Sequence, residues 1–213
     1  DADGFETLEQ VQLKINEGEW VEISPNRDLC AIVPLTPEQN GEVMSTVYYD
    51  QNTAGSEITG LKLNDLNSFY IRAIDIAGSI SKEDTIGDIY MTKKSNDLLV
   101  IGANSASPNQ FYASNLTAAG IGFDFIDFIA NDAKNQPKIW SPTMSLLLKQ
   151  YDQVLMTAND VTFTNIQTNA DEIVLEFASS AIEEYVSDGG KIFVSASFPA
   201  NYDQTSALYG ILP

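Results

Sequence analysis

Asn96-Asp97-Leu98-Leu99-Val100-Ile101-Gly102-Ala103 reads as a polar opener followed by a continuous apolar strand. A strand that is apolar at every position is buried on both faces, as in a parallel sheet covered by helices. Upstream the pattern is different: apolar residues alternate with polar ones in short runs broken by Asn, Asp, Gly and Pro. Val11, Leu13 and Ile15, for instance, alternate with Gln12, Lys14 and Asn16, the mark of a strand with one buried face. The seam between these patterns predicts a multidomain chain, an all-β sandwich over 1–94 followed by an α/β domain over 97–213.

Downstream of the seam, strands and helices take turns. Ser107-Pro108-Asn109-Gln110 has the spacing of a capping box and predicts the start of a helix. Tyr112, Leu116 and Ala119 share one face of that helix, and Gly120 ends it. Phe123 to Ile129 reads as a second strand, and Asp124 and Asp127 within it predict an edge position. Ser141-Pro142 opens a short helix carrying Leu146, Leu147, Leu148 and Tyr151, and Asp152 to Thr157 is a third strand. The longest helix is predicted from Asp171 to Ser187, with Val174, Phe177, Ala181 and Tyr185 as its buried stripe and Asp188-Gly189-Gly190 as its cap. Lys191 to Ser197 is the fourth strand. The alternation demands right-handed crossovers, a mostly parallel sheet and helices in layers on both sides.

Before the seam, strand patterns recur at 11–15, 20–23, 29–35, 43–49, 58–63, 68–74 and 88–92, separated by turn residues. Gly60-Leu61-Lys62-Leu63, then Phe69-Tyr70-Ile71-Arg72-Ala73-Ile74-Asp75 and Ala77-Gly78-Ser79-Ile80-Ser81, resemble the last third of a fibronectin type III or related immunoglobulin-like domain. The likeness covers about residues 5–94, but Phe69 stands where that family has its corner tyrosine, and Tyr70 is expected on the opposite face. The family's first strand is short or missing. The second half resembles the class I glutamine amidotransferase-like fold, in the divergent form of Bacteroidetes-type surface proteins. The matching residues are Leu98 to Gly102, Tyr151-Asp152-Gln153-Val154 and Tyr185 to Ile192, and coverage is about 97–213. The active family carries a cysteine nucleophile after the fourth strand and a histidine partner. Here Ser195-Ala196-Ser197-Phe198-Pro199 occupies the nucleophile's place, and the chain has no histidine. No residue carries amidotransferase catalysis over to this chain.

Eleven Lys and Arg against 30 Asp and Glu give a formal net charge of −19. Such a surface repels phosphate backbones and anionic membranes, which excludes nucleic acid as an expected partner and leaves proteins, cations and neutral ligands such as glycans. No apolar run approaches the ~20 residues that a membrane-spanning helix needs. Cys30, the one cysteine, sits in Leu29-Cys30-Ala31-Ile32-Val33 and reads as a buried structural thiol. The chain opens on Asp1 rather than Met, so a leader or upstream region is expected to have been removed. With the resemblances, this implies a bacterial protein that is either secreted or held at the cell surface, a lipid anchor at the removed N-terminus being one route to the latter.

Open parallel sheets take ligands beyond the carboxyl ends of their strands. That edge offers Asn104, Ser105 and Ser107 after the first strand, Asn159 and Asp160 after the third, and Ser195 and Ser197 at the fourth. A helix opening at Ser107 would favour an anion. Turn-making and capping explain the same Asn and Ser residues without a ligand. There is no Gly-x-Gly-x-x-Gly fingerprint for a dinucleotide. Lys191, the nearest candidate base for Ser195, belongs to the opposite end of its strand. Trp140 could stack on a sugar ring or pack over the sheet. Asp1 and Asp3 are candidate calcium ligands, although Phe5 stands where a third oxygen ligand belongs and an acidic turn explains them equally. The residues thus imply a non-catalytic binding or assembly role. The competing expectation is a carboxylate-based hydrolase acting on glycans, for which Asp160 and Asp203 are the pair to inspect. The linker Met91 to Asp97 has no Pro or Gly and is too short for a free tether, so the domains are expected to touch.

Overall fold

A computed structural model describes residues 5–27, 29–35, 42–50, 52–130, 135, 137, 142–159, 162–164 and 169–196. The chain divides into two compact units, Asp1–Lys93 and Lys94–Pro213. The first contains β1 (Leu8–Ile15), β2 (Val21–Ile23), β3 (Ala31–Pro34), β4 (Val43–Tyr48), β5 (Ala54–Leu61), β6 (Asp65–Asp75) and β7 (Asp84–Met91). One sheet runs β2-β1-β6-β7 and the other β3-β4-β5, with every neighbouring pair antiparallel.

Register sets the faces. Leu13 lies beside Val21 and Ile15 opposite Phe69, so Leu13 and Ile15 turn inward with Val21 and Phe69 packed against the same core, while Ile71, level with Leu13 on β6, stays exposed. Leu13, Ile15 and Ile23 share one buried core with Val43, Val47, Ile58 and Leu61 of the other sheet. The two sheets therefore pack face to face as a sandwich. Gln12, Lys14, Tyr70 and Arg72 take the outer face, as the alternation requires. Cys30 precedes β3 and is half-buried rather than enclosed within a strand, and burial pushes its thiol pKa up. Asn67, almost fully buried, binds the main chain of Lys62 and Asp65 and accepts from Asn16 Nδ2 at 2.7 Å, fastening two turns together.

The second unit contains β8 (Leu98–Ala103), α1 (Ala106–Ala118), β9 (Asp124–Asp127), α2 (Thr143–Leu148), β10 (Gln153–Ala158), β11 (Thr162–Thr164), β12 (Asp171–Ile173), α3 (Val174–Ser187) and β13 (Lys191–Ala196). Its main sheet runs β13-β10-β8-β9, all parallel, and β9 is an edge as its aspartates predicted. Leu99, Ile101 and Ala103 of β8 and Val154, Met156 and Ala158 of β10 pack with Met144 and Leu148 of α2 and with the apolar face of α3. The opposite face of the sheet meets α1: Asn109 lies against Gly102 of β8, and Tyr112 bonds Ser195 of β13. Helices thus cover both faces, giving three layers.

Several local expectations need correction. α1 begins at Ala106 with Ser105 as N-cap and no side-chain cap bond, so Ser107-Pro108-Asn109-Gln110 is not a capping box. Pro108 falls within the first turn, where backbone N–H groups have no intrahelical partner to lose. Asn109 is the buried residue of α1, while Ala119 is exposed. Tyr151 lies beyond the end of α2. Residues 171–173 form β12, paired with β11 in an antiparallel hairpin, so α3 starts at Val174. Its buried face holds Val174, Leu175, Ala178, Ala181, Ile182 and Tyr185, and Phe177 is only half-buried. Both long helices end as predicted at a left-handed glycine, Gly120 (φ 72°) and Gly189 (φ 93°). Gly190 N–H reaches back to Tyr185 O at 2.9 Å and Gly189 N–H to Val186 O at 3.0 Å, which satisfies the last carbonyls of α3.

Candidate functional site at the carboxyl end of the parallel sheet

From β8 the chain moves to β9 on one side and later to β10 on the other, so the order reverses between β8 and β10. Such a switch point opens a crevice at the carboxyl ends of the strands. Asn104, the first residue past β8, spans this point: its Nδ2 donates to Thr157 Oγ1 on β10 at 2.9 Å. Thr157 Oγ1 lies 3.4 Å from the Ile101 carbonyl, which accepts its proton.

Asn109 fills the space beside β8. Its Nδ2 lies 2.9 Å from Asp127 Oδ1, 3.1 Å from Asn104 O and 3.2 Å from Gly102 O, and its Oδ1 accepts the Asn104 N–H at 3.2 Å. A glycine at 102 makes this possible, because a Cβ there would stand 2.6 Å from Asn109 Cγ. Asp127 closes β9, and its Oδ1 also accepts the N–H groups of Ile129 (3.0 Å) and Ala130 (3.2 Å). Asn135 Nδ2 donates to the Asp127 carbonyl at 3.0 Å. On the far side, Ser195 Oγ and the Tyr112 hydroxyl share a hydrogen bond of 2.9 Å.

Of the residues singled out in the sequence, Asn104 and Ser195 belong to this end of the sheet and are engaged in side-chain bonds. Ser105 is exposed at the α1 N-cap, and Ser107 lies in the first turn rather than at the helix opening. Asn159 follows β10 and is half-buried. Asp1, Asp3, Trp140, Asp160, Ser197 and Asp203 lie outside the described residues. Sequence reasoning missed Asn109, Tyr112, Asp127 and Thr157 as members. The one local signal was a polar Asn at a helix position facing the sheet.

This arrangement can hold a loop–helix–strand junction in place. Among the described residues no buried side-chain nitrogen or oxygen lacks a partner. A serine nucleophile needs a base in hydrogen-bond reach, and the partner of Ser195 is a phenol. Lys191 sits four residues back along β13, about 13 Å away at the rise of a strand. No three His, Cys, Asp or Glu side chains gather as metal ligands among the described residues.

The titratable cluster with clear perturbation lies at the other end of the sheet. Asp124 starts β9, and its carboxylate accepts from Ser95 N–H (2.9 Å), Asn96 Nδ2 (2.9 Å) and the Tyr151 hydroxyl (3.0 Å). Burial pushes its pKa up, but these donors together outweigh burial and hold it below the ordinary carboxylate value. Burial and the Asp124 charge hold the Tyr151 hydroxyl protonated, far above the usual tyrosine value. Amino-end pinning of three strand entries is a folding task, remote from the carboxyl ends of the strands.

No family model, curated protein or solved structure matches this chain. No helix among the described residues is long and apolar enough to cross a membrane.

Proposed function

We propose that the chain is a non-catalytic binding or assembly protein of a bacterial surface. In this reading a fibronectin type III-like sandwich accompanies an amidotransferase-like α/β domain that has lost its chemistry. The observation that carries it is the Asn104–Asn109–Asp127–Thr157 network, which ties up the polar side chains where a catalytic constellation would stand. The absence of histidine from the sequence, and of a cysteine near Ser195, points the same way. A secreted or lipid-anchored location fits the acidic surface and the paired modules.

The test is a turnover screen with the 213-residue chain. Esters, amides and glycosides are offered to the wild type and to Ser195→Ala and Asp127→Asn. The expected outcome is no turnover above buffer for any substrate. Turnover lost in Ser195→Ala would restore a serine hydrolase, and glycoside turnover lost in Asp127→Asn would establish carboxylate chemistry. Location is read from fractionation and surface proteolysis of expressing cells, where a strictly cytoplasmic pool would contradict the surface assignment.

A further inference from the structure

We propose that the outer face of β2-β1-β6 is a binding site for carboxylated glycans, that is, chains of uronic acid residues. The inference concerns the first unit and stands apart from the reading above: a chain found to turn over a substrate would leave it intact.

Trp20, immediately before β2, reaches across β1 to β6. The Arg72 guanidinium carbon lies 4.1 Å from the Trp20 ring centroid. Between them, Lys14 Nζ lies 4.9 Å from the Trp20 centroid and 4.6 Å from that of Tyr70. Arg72 Nε donates to Gln12 Oε1 at 2.8 Å, and Gln12 Nε2 donates to Gln10 Oε1 at 3.4 Å. Each of these side chains is partly exposed.

Three features support this face. The chain has 11 basic residues against 30 acidic ones, yet neither Lys14 nor Arg72 enters an ion pair among the described residues. Two cations left without carboxylate partners in a protein of net charge −19 form a local seat of the opposite sign. Second, Arg72 is pre-organised. The guanidinium carbon lies over the Trp20 ring and Gln12 occupies Nε, which leaves the two terminal nitrogens as a fork matched to a carboxylate. Third, β1 and β6 are interior strands, hydrogen-bonded on both sides. Their main chain has nothing to offer an added peptide strand, which binds at sheet edges. Recognition here is by side chains alone. Aromatic rings beside amide groups suit a pyranose, with its apolar C–H face and its hydroxyls, and the cations suit its carboxylate. Glu22, opposite Gln12 on β2, bounds the patch and places the carboxylate seat toward Lys14 and Arg72.

The experiment is titration calorimetry of the whole chain with a short oligogalacturonate, at low and at physiological salt. The controls are the uncharged methyl ester of the same oligosaccharide and poly-glutamate. Binding of the oligouronate is expected to weaken with salt and to fall about tenfold or more on methyl esterification or in Arg72→Gln, the scale of a lost charge-assisted pair. Trp20→Leu is expected to lose binding as well. Thermal melts check folding, and Arg72→Lys keeps charge and bulk while removing the fork, so it must still weaken binding if the fork matters. No oligouronate binding at millimolar concentration, equal binding of the ester, or unchanged binding in Arg72→Gln and Arg72→Lys would overturn the proposal. Poly-glutamate binding as tightly per carboxylate would overturn it in favour of an acidic peptide.

Discussion

Asn109 of α1 donates to Asp127 at the end of β9 across 2.9 Å, although Asn109 is fully buried beneath its own helix. One amide reaches three acceptors with two hydrogens and receives a fourth bond from the main chain of Asn104. The turn after β8, the start of α1 and the end of β9 are therefore held by one side chain. An apolar residue there would take the amide's bonds from the Asn104 N–H and carbonyl and one donor from the Asp127 carboxylate, while the Gly102 carbonyl keeps the Phe128 N–H. Unmade buried bonds cost about 1–3 kcal/mol each, more for a charged group.

Asn109→Leu is accordingly expected to destabilise the second unit by about 2–4 kcal/mol. Asn109→Asp keeps the shape but sets a carboxylate against Asp127, and its cost is expected to exceed that of Asn109→Leu at neutral pH and to shrink in acid. Denaturant unfolding followed by helical circular dichroism reads the second unit, where the described α-helices lie. A loss under 1 kcal/mol for both variants would mean that water replaces the amide with ease.

Gly102→Ala tests the same junction from the strand side. The added Cβ would stand within 2.6–2.9 Å of the Asn109 carboxamide, which cannot retreat without giving up its bonds. The expected cost is about 1–3 kcal/mol, from overpacking rather than backbone strain. Because both changes attack one contact, Gly102→Ala in an Asn109→Ala background should cost clearly less than in the wild type. Additive losses in that double-mutant cycle would refute the coupling.

Much of this architecture was readable in the residues because its signals are local. The unbroken apolar run 98–103 located the central strand to the residue, and Gly120 and Gly189 located two helix ends. The hairpin of Thr162–Thr164 and Asp171–Ile173 was not readable, since three residues are too few to show a period of two. For the site, the strand-end rule indicated Asn104 and Ser195. It could not supply Thr157, 53 residues away from Asn104, or the Asp127 partner of Asn109, because those pairings exist only once the sheet has its order. Asn109 itself reads as a member of a capping box over 107–110, and that local pattern hides its place three residues before Tyr112 on the sheet-facing side of α1.

In the first unit, Asn67 is the counterpart of Asn109. Its Nδ2 serves the carbonyls of Lys62 (2.9 Å) and Asp65 (3.1 Å), and its Oδ1 accepts from Lys62 N–H (2.8 Å) and Asn16 Nδ2 (2.7 Å). Asn67→Ala is expected to cost about 2–4 kcal/mol and to loosen the turn after β1 as well as the turn between β5 and β6. Hydrogen exchange checks this: protection of the Ser68 and Lys62 amides, which donate to Asn16 and Asn67, should fall together. Loss confined to Lys62 would show that Asn16 holds its turn unaided.

The acid limb of stability should report Asp124. Its folded pKa is depressed, because the Ser95, Asn96 and Tyr151 donors outweigh the burial that pushes it up. A depressed carboxylate contributes stability that is fully present above the unfolded pKa, about 3.9, and is lost as pH falls through the lower folded value. Asp124→Asn removes the charge and one of the acceptor sites for Ser95 N–H and the Tyr151 hydroxyl. The variant is therefore expected to be less stable than the wild type at pH 7, with the gap narrowing as pH drops below about 4. Taking the difference between two proteins cancels the many exposed carboxylates, whose protonation is common to both. Unfolding in urea at neutral pH and again near pH 3 measures it. A gap of constant size across that range would show that the hydrogen bonds at Asp124 do not depend on its charge, and a gap that widens in acid would reverse the sign of the assignment.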